Sequence, residues 1–377
     1  MAGIYLHIPF CRQACSYCNF HFSTVMKSYD EVIEAMLAEI EMQQADWDEN
    51  QPIESIYFGG GTPSLLKISD LENFMSKIKN FFPVKEHTEV TLEANPEDVT
   101  GEIAKSWKKL GINRISIGIQ SFYEEDLALM NRIHRPQKAK DAIQMIRNSG
   151  IENITGDLIY GVPGRSIQDW ESNLQNLMTL RLPHFSSYAL TIEPKTLLAW
   201  QVEKGKVKLP EQEEVAEQFY LLRQIATENG YMHYELSGFA WPGWHSRHNY
   251  SYWEGKSYLG IGPGAHSFDG KSRRWNIANN HKYVKALKNN KLAFDEEWLA
   301  EQDVFNELVM TRLRTSKGLQ YEEIYDKFGD EFVRHFNEQA KKLFENGDLA
   351  EKDHRIVIPS AKLFVSDDII ASLFYTE

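Results

Sequence analysis

The chain has 377 residues, of which 42% are hydrophobic and 25% are charged, and its formal net charge at pH 7 is −13. This size and composition are typical of a globular protein with more than one domain. The acidic balance argues against a protein that coats nucleic acid, which would need a basic surface. No apolar run approaches the roughly 18 residues that a membrane span needs, and the N-terminus lacks the pattern of a signal peptide. With only three cysteines and no disulfide framework, the sequence predicts a cytoplasmic protein.

Six short apolar or β-branched runs alternate with helix-period stretches through the first 230 residues. These runs cover residues 3–8, 53–58, 88–94, 113–119, 154–160 and 184–190. Strands that alternate with helices pair in parallel through right-handed crossovers, so the fold class is α/β. Six units suit a partial (β/α)6 barrel or a doubly wound sheet. Two helix starts are predicted from capping boxes, Ser28 with Glu31 and Ser69 with Glu72.

Polar residues or glycines of chemical interest stand at the end of nearly every predicted strand. They are the cysteines after the first strand, residues 59–62 after the second, and then Glu93, Gln120, Asp157 and Glu193. Parallel strands bring their carboxyl ends to one rim, where (β/α) proteins build their sites. This regularity favours the partial barrel and a site at its rim.

The composition changes after residue 230. Residues 231–253 contain eight aromatic residues and three histidines. From about residue 300 the pattern predicts three helices, a stop at Gly347 and a small hairpin, which resembles a winged helix. Residues 301–377 hold 10 Lys and Arg against 16 Asp and Glu, which favours packing or partner docking over DNA binding. We therefore predict three parts: a barrel over 1–230, an aromatic and histidine-rich connection over 231–299, and a mainly helical domain over 300–377.

All three cysteines, Cys11, Cys15 and Cys18, lie within eight positions. A zinc site with His21 as fourth ligand is one interpretation, and a redox pair of Cys15 with Cys18 is another. A [4Fe–4S] cluster accounts for all three thiolates, because each binds one iron. The fourth iron would then be open to a ligand from outside the protein.

The spacing C-x3-C-x2-C, with Tyr17 before the last cysteine and "GGGTP" after the second strand, resembles the radical S-adenosylmethionine (SAM) superfamily. The resemblance implies a [4Fe–4S] cluster on the three cysteines with SAM on the open iron. It extends through "LEANPE", "SIGIQSF", "NRIHR", "GDLIYGVPG" and "YLGIGPGAHS", which are similar to the group of oxygen-independent coproporphyrinogen III dehydrogenases and HemW-type haem chaperones. By motif, the implied SAM contacts are Tyr5, Gly60, Gly61, Thr62, Glu93, Gln120, Arg132 and Asp157.

Two features distinguish the two branches of this group. The dehydrogenases carry a further cysteine two positions after the third, where this chain has Phe20. The stretch "HNYSYW", residues 248–253, matches a motif of the chaperone branch whose histidine, here His248, is implicated in haem binding. Imidazole is a common axial ligand of haem iron.

The resemblance therefore implies a haem carrier rather than a tetrapyrrole-converting enzyme. Such a carrier would deliver haem to respiratory acceptor proteins through transient contact at the membrane, and the family suggests a homodimer. Cluster and SAM would then control conformation or dimerisation. The alternative is a dehydrogenase that decarboxylates coproporphyrinogen III with a 5′-deoxyadenosyl radical, since both branches share the cluster motif.

Overall fold

The computed structural model describes residues 2–44, 47 and 51–376, and within them its central feature is a twelve-stranded sheet. The six predicted strands are consecutive neighbours and all pair in parallel. Their bounds are β1 (Ala2–Ile8), β2 (Ile53–Gly60), β3 (Val84–Ala94), β4 (Arg114–Gln120), β5 (Asn153–Tyr160) and β6 (His184–Ala189). A sequential strand order returns every crossover on the same face, so the predicted partial (β/α)6 barrel is confirmed and the doubly wound alternative is wrong.

Short strands extend both edges of this barrel. Next to β6 lie antiparallel β8 and then β7, and next to β1 lies the parallel strand β9, followed by three antiparallel strands. Their bounds are β7 (Met232–His233), β8 (Gly238–Ala240), β9 (Tyr258–Ile261), β10 (His266–Phe268), β11 (Ser272–Asn276) and β12 (Phe294–Trp298). The aromatic and histidine-rich segment therefore contributes to both edges of the sheet.

Most helices cover the outer face of the sheet, whereas the helix over Arg247–Trp253 packs against Tyr57 on its inner face. The first ten are α1 (Tyr29–Gln43), α2 (Ile68–Phe81), α3 (Gly101–Leu110), α4 (Glu124–Leu129), α5 (Pro136–Asn148), α6 (Ile167–Thr179), α7 (Leu197–Glu203), α8 (Gln212–Glu228), α9 (Arg247–Trp253) and α10 (Asn280–Lys288). Outward-facing strand residues pack against them, as Phe58 does against Phe74 with ring centres 6.2 Å apart. Both predicted capping boxes are wrong, because Ser28 precedes α1 without a side-chain cap and Ser69 lies inside α2.

A second hydrophobic core holds the C-terminal region together. Its elements are α11 (Glu301–Leu313), α12 (Tyr321–Glu345), β13 (Ala350–Lys352), β14 (Arg355–Val357) and α13 (Ser366–Ala371). Gly329 kinks α12 with φ 74° and ψ −168°, which separates the second and third predicted helices. Arg312 ties this region to the barrel side by donating to the Trp253 carbonyl at 2.6 Å. Among the helices described here, none has the length and apolar character of a membrane span.

Candidate functional site

The carboxyl ends of the barrel strands enclose a cavity of about 470 Å³, a volume typical of small-ligand sites. Side chains from alternate strand positions line it, because successive residues of a strand face opposite sides of the sheet. Seven predicted site residues lie on its wall: Cys18, Gly61, Thr62, Glu93, Gln120, Arg132 and Asp157. Residues chosen from six separate stretches of sequence are thus brought to one cavity.

The loop that carries the cysteines connects β1 to α1 and is held by its neighbours. Within the loop, the Cys11 amide donates to the Ser23 carbonyl at 3.0 Å. The Ser16 amide donates to the Met130 carbonyl at 3.1 Å, and the Ser16 carbonyl accepts from the Leu198 amide at 2.8 Å. The first turn of α7 therefore contacts this loop directly.

The three thiols are free and lie close enough to affect one another. Burial, with Cys15 and Cys18 adding to it, raises the pKa of Cys11 to about 11 although the nearby Thr62 hydroxyl lowers it. His21, the fourth ligand in the zinc interpretation, instead places Nε2 2.7 Å from Oδ1 of Asn280.

A single metal ion and a cubane place different demands on these thiols. Among the described residues, no group of three His, Cys, Asp or Glu side chains converges closely enough to hold one ion. A cubane instead binds one thiolate at each of three irons.

Glycines at the end of β2 allow the chain to pack closely against the start of the cysteine loop. The Gly61 amide donates to the Ile8 carbonyl at 2.8 Å, and a Cβ on Gly61 would lie only 2.7 Å from the Phe10 carbonyl oxygen. Gly60 has a φ of 105°, which favours glycine, and it does not line the cavity. Chain packing therefore explains these glycines, and their contact with SAM stays a prediction.

Two acids at the carboxyl ends of β3 and β5 face the cavity. Tyr57 donates to Oε1 of Glu93 at 2.7 Å, and Ser116 donates to Oδ2 of Asp157 at 2.8 Å. Burial, together with the neighbouring Asp157, raises the pKa of Glu93 to about 7 although the hydrogen bond from Tyr57 lowers it. Burial likewise raises the pKa of Asp157 to about 6. Poorly solvated acids of this kind favour a cationic ligand, which would restore their ionised form.

Arg132 and Gln120 form the opposite polar wall. Nη2 of Arg132 donates to Oδ1 of Asn95 at 2.7 Å and to the Gly118 carbonyl at 3.1 Å. A Cβ on Gly118 would lie 2.9 Å from both the Arg132 and the Gln120 side chains, so the absent side chain makes room for them. Gln120 has a φ of 64° at a register shift between β4 and β5, a strained conformation that is often found at functional sites.

Tyr5 and His248 do not line the cavity but lie beneath it. The rings of Tyr57 and His248 stack with centres 4.9 Å apart, and Tyr5 stacks on Tyr57 at 6.0 Å. In His248, Nδ1 lies 2.8 Å from the Ser55 hydroxyl and Nε2 lies 2.8 Å from the Tyr252 hydroxyl. Burial lowers the pKa of this histidine to about 3. Both ring nitrogens are thus engaged within the protein, and haem ligation by His248 stays a prediction.

Sequence reasoning missed several residues of the cavity wall. They are Tyr57, Ser116, Ser186 and Tyr188 from the strands, with Ser246 and Asn249 from the segment that begins α9. A signal for the strand residues was present, because polar residues recur at every second position in β3 through β6, as in Thr155 with Asp157. Polar residues at every second position of an otherwise apolar strand indicate that one face of the strand points inward to a solvated cavity.

Comparisons with known proteins agree with this architecture. Residues 5–177 match the model of the Radical SAM superfamily, and residues 299–361 match the HemN C-terminal domain. The chain is 33% identical over 353 residues to "Heme chaperone HemW" of Lactococcus lactis, covering 93% of this chain and 92% of the relative. It is 30% identical over 376 residues to the protein of that name from Bacillus subtilis, covering 99% of both. The solved coproporphyrinogen III oxidase HemN of Escherichia coli has the same fold, with a TM-score of 0.86 and 21% identity over 99% of this chain and 90% of that one. The chain therefore belongs to the HemW family within the radical SAM superfamily.

Proposed function

We propose that this protein carries haem to acceptor proteins and holds a [4Fe–4S] cluster and SAM in its barrel. The observation that carries the proposal is the position of α9, which contains the HNYSYW residues. Ser246 and Asn249 line the cavity floor, and His248 lies beneath it against Tyr57. The element implicated in haem binding is therefore a wall of the cavity that would hold SAM.

The cysteine loop fits a cluster with one open corner. Cys11, Cys15 and Cys18 are free thiols on a loop pinned at both flanks, and Cys18 faces the cavity. Arg132 places Nη1 3.5 Å from Sγ of Cys15, where a guanidinium would stabilise the negative charge of thiolates. A bound cluster would supply one-electron chemistry and an iron for SAM.

The cavity wall fits the charges of SAM. Glu93 and Asp157 suit its cationic and hydroxyl groups, and Arg132 suits its carboxylate. Thr62 and Gln120 add neutral polar contacts on the same wall.

Phe20 favours a carrier over a dehydrogenase. It occupies the position of the dehydrogenases' extra cysteine and is 68% exposed on the cluster loop. The named relatives that cover nearly the full chain are haem chaperones. We therefore propose delivery of haem from the cytoplasm to respiratory haem proteins, with transient contact at the membrane and a homodimer as the working form.

The test is anaerobic reconstitution of the full chain, followed by two separate assays. In the first, iron and sulfide are measured before haem is added and should be equal; haem is then titrated, and one haem per chain should be retained. His248→Ala should weaken haem binding without loss of cluster, whereas His245→Ala, three positions earlier, should not weaken it.

In the second assay, coproporphyrinogen III, SAM and a reductant are supplied, and no protoporphyrinogen should form. Catalytic turnover of the tetrapyrrole would contradict the carrier and support the dehydrogenase. A colourless protein without iron would contradict the cluster.

A further inference from the structure

The C-terminal end of α9 borders a second cleft of about 300 Å³, at the lower end of the range for ligand sites. The cleft lies between the end of α9, the β9–β11 strands and α11. Its walls combine aromatic rings, among them Tyr252, Tyr258 and Phe268, with cationic groups that include Arg273 and Arg312. We call it the α9–α11 cleft. Aromatic faces beside guanidinium groups suit a flat macrocycle that carries carboxylates.

Tyr252 connects this cleft to His248. The Tyr252 side chain lines the cleft, whereas His248 is only 1% exposed. The Tyr252 hydroxyl lies 2.8 Å from Nε2 of His248, and its ring packs edge-on against Tyr258 at 4.7 Å. A ligand in the cleft therefore meets the Tyr252 side chain first and the histidine only behind it.

We propose that Tyr252 is a ligand of haem iron in the α9–α11 cleft and that His248 is the positioning residue that orients its oxygen. This inference rests on the proposed function as a haem carrier. Tyrosine is an established ligand of haem iron, and phenolate oxygen is a hard ligand suited to ferric iron. Oη would bond to ferric iron in place of hydroxide, and the hydroxide would leave as water with the phenol proton. The tautomer in which Nδ1 accepts from Ser55 would let Nε2 donate to the bound phenolate oxygen, so that the imidazole stays neutral.

Arg273 is placed to bind a propionate of the macrocycle. Its guanidinium lies 4.9 Å from the centre of the Phe268 ring and donates through Nε to Glu307 at 2.7 Å. Arginine has five N–H donors, so a second carboxylate can bind on the Nη side. The C-terminal region supplies Glu307 and Arg312 to the same cleft, which gives that region a role in the haem site.

The first experiment records absorption and resonance Raman spectra of ferric haem on the reconstituted full chain. Wild type and Tyr250→Phe, a matched control whose ring packs on Tyr234, should both show the tyrosinate charge-transfer band and vibrations. Tyr252→Phe should lose them, and His248→Ala should keep them with weaker haem affinity. Retention of the wild-type spectrum in Tyr252→Phe, or its loss in His248→Ala alone, would overturn the assignment. Absence of haem binding in wild type would instead contradict the proposed function.

The second experiment locates the macrocycle with two neighbouring arginines on β11. Both are ion-paired and 32% exposed, but Arg273 faces the cleft and Arg274 pairs with Glu296 outside it. Arg273→Met should weaken haem binding about tenfold, the order of one charge-assisted hydrogen bond, while Arg274→Met should not. Both variants should bind haem dimethyl ester, in which the propionates are esterified, with the same affinity. If the two variants bound haem with equal affinity and unfolded at the same thermal midpoint, the assignment of haem to this cleft would be wrong.

Discussion

Arg132 is held in the cavity by contacts with three other segments of the chain. It reaches Asn95 after β3, Gly118 on β4 and Cys15 on the cysteine loop. Burial alone would lower its pKa, but Tyr17 and Cys15 next to it raise that pKa above its ordinary value. This guanidinium is therefore charged and oriented in advance for an anionic group of a ligand.

Arg132→Met should weaken SAM binding to the reconstituted protein by about tenfold or more, because a charge-assisted contact to the carboxylate is lost. Equilibrium dialysis with SAM measures this, and iron per chain shows whether the cluster is intact. Arg135→Met, at an exposed arginine three positions on, is the control and should bind SAM as wild type does. Equal affinities in the two variants would contradict the role of Arg132.

Glu93 makes the stability of the cofactor-free chain depend on pH. Its pKa is raised from 4.5 to about 7 by burial, so the native state holds a proton that the unfolded chain releases at lower pH. Its contribution to stability is therefore fullest below about pH 4.5 and is lost as pH rises through 7.

Glu93→Gln removes this ionisation, so its stability relative to wild type should increase as pH rises from 5 to 8. Urea unfolding at four pH values in that range measures the difference. Glu102→Gln, at an exposed acid, should follow the pH profile of wild type. A constant difference between Glu93→Gln and wild type would show that Glu93 is ionised throughout.

At the level of elements, α12 changes direction at a single residue. Gly329 has φ 74° and ψ −168°, a region that only glycine enters readily, while a Cβ there would meet no atom within 4 Å. The kink is thus a backbone requirement and not a packing requirement. It allows both halves of the helix to contribute to the C-terminal core, through Ile324 before it and Phe332 after it.

Gly329→Ala should destabilise the full chain by about 1–3 kcal/mol through backbone strain. The loss should show as a lower midpoint in chemical unfolding. Gly101→Ala is the matched control, since it also adds a methyl group to open space but at a residue without positive φ, and it should be neutral or slightly stabilising. Equal effects would contradict a strain mechanism.

At the scale of the whole molecule, α9 separates two cavities. Asn249 faces the barrel cavity, Tyr252 faces the α9–α11 cleft, and His248 lies between them against Tyr57. Tyr57 in turn donates to Glu93. Ligands in the two cavities therefore contact opposite ends of one connected set of side chains.

This arrangement predicts that SAM strengthens haem binding, because contact with Glu93 would hold Tyr57 and His248 in place. We expect about a fivefold effect, at the lower end of measured couplings, and an equal effect of haem on SAM affinity by linkage. Tyr57→Phe keeps the stacked ring but removes the hydrogen bond, and it should abolish the coupling. Haem titrations with and without SAM measure this, with Tyr220→Phe as control, whose hydroxyl donates instead to Ala361. A haem affinity independent of SAM in wild type would contradict the coupling.

Local sequence patterns were sufficient to predict the barrel and the rim of its cavity. Strand and helix periods and the polar residues at strand ends are properties of short segments, and the parallel pairing of successive strands follows general rules of connection. These patterns predict that Glu93, Gln120 and Asp157 lie at one rim, and all three line the barrel cavity. Local motifs did not predict the helix starts correctly. Ser69, for example, lies inside α2 instead of capping it.

The environment of α9 could not be predicted from those patterns, because it depends on residues that are far apart in the chain. His248 pairs with Ser55, 193 positions earlier, and no periodicity reports such a contact. The sequence therefore identified His248 as a candidate, while the packing of the chain placed its ring behind Tyr252 with both nitrogens engaged. Short-range order follows from propensity and alternation, but the atoms that a ligand can reach follow from how distant segments bury one another.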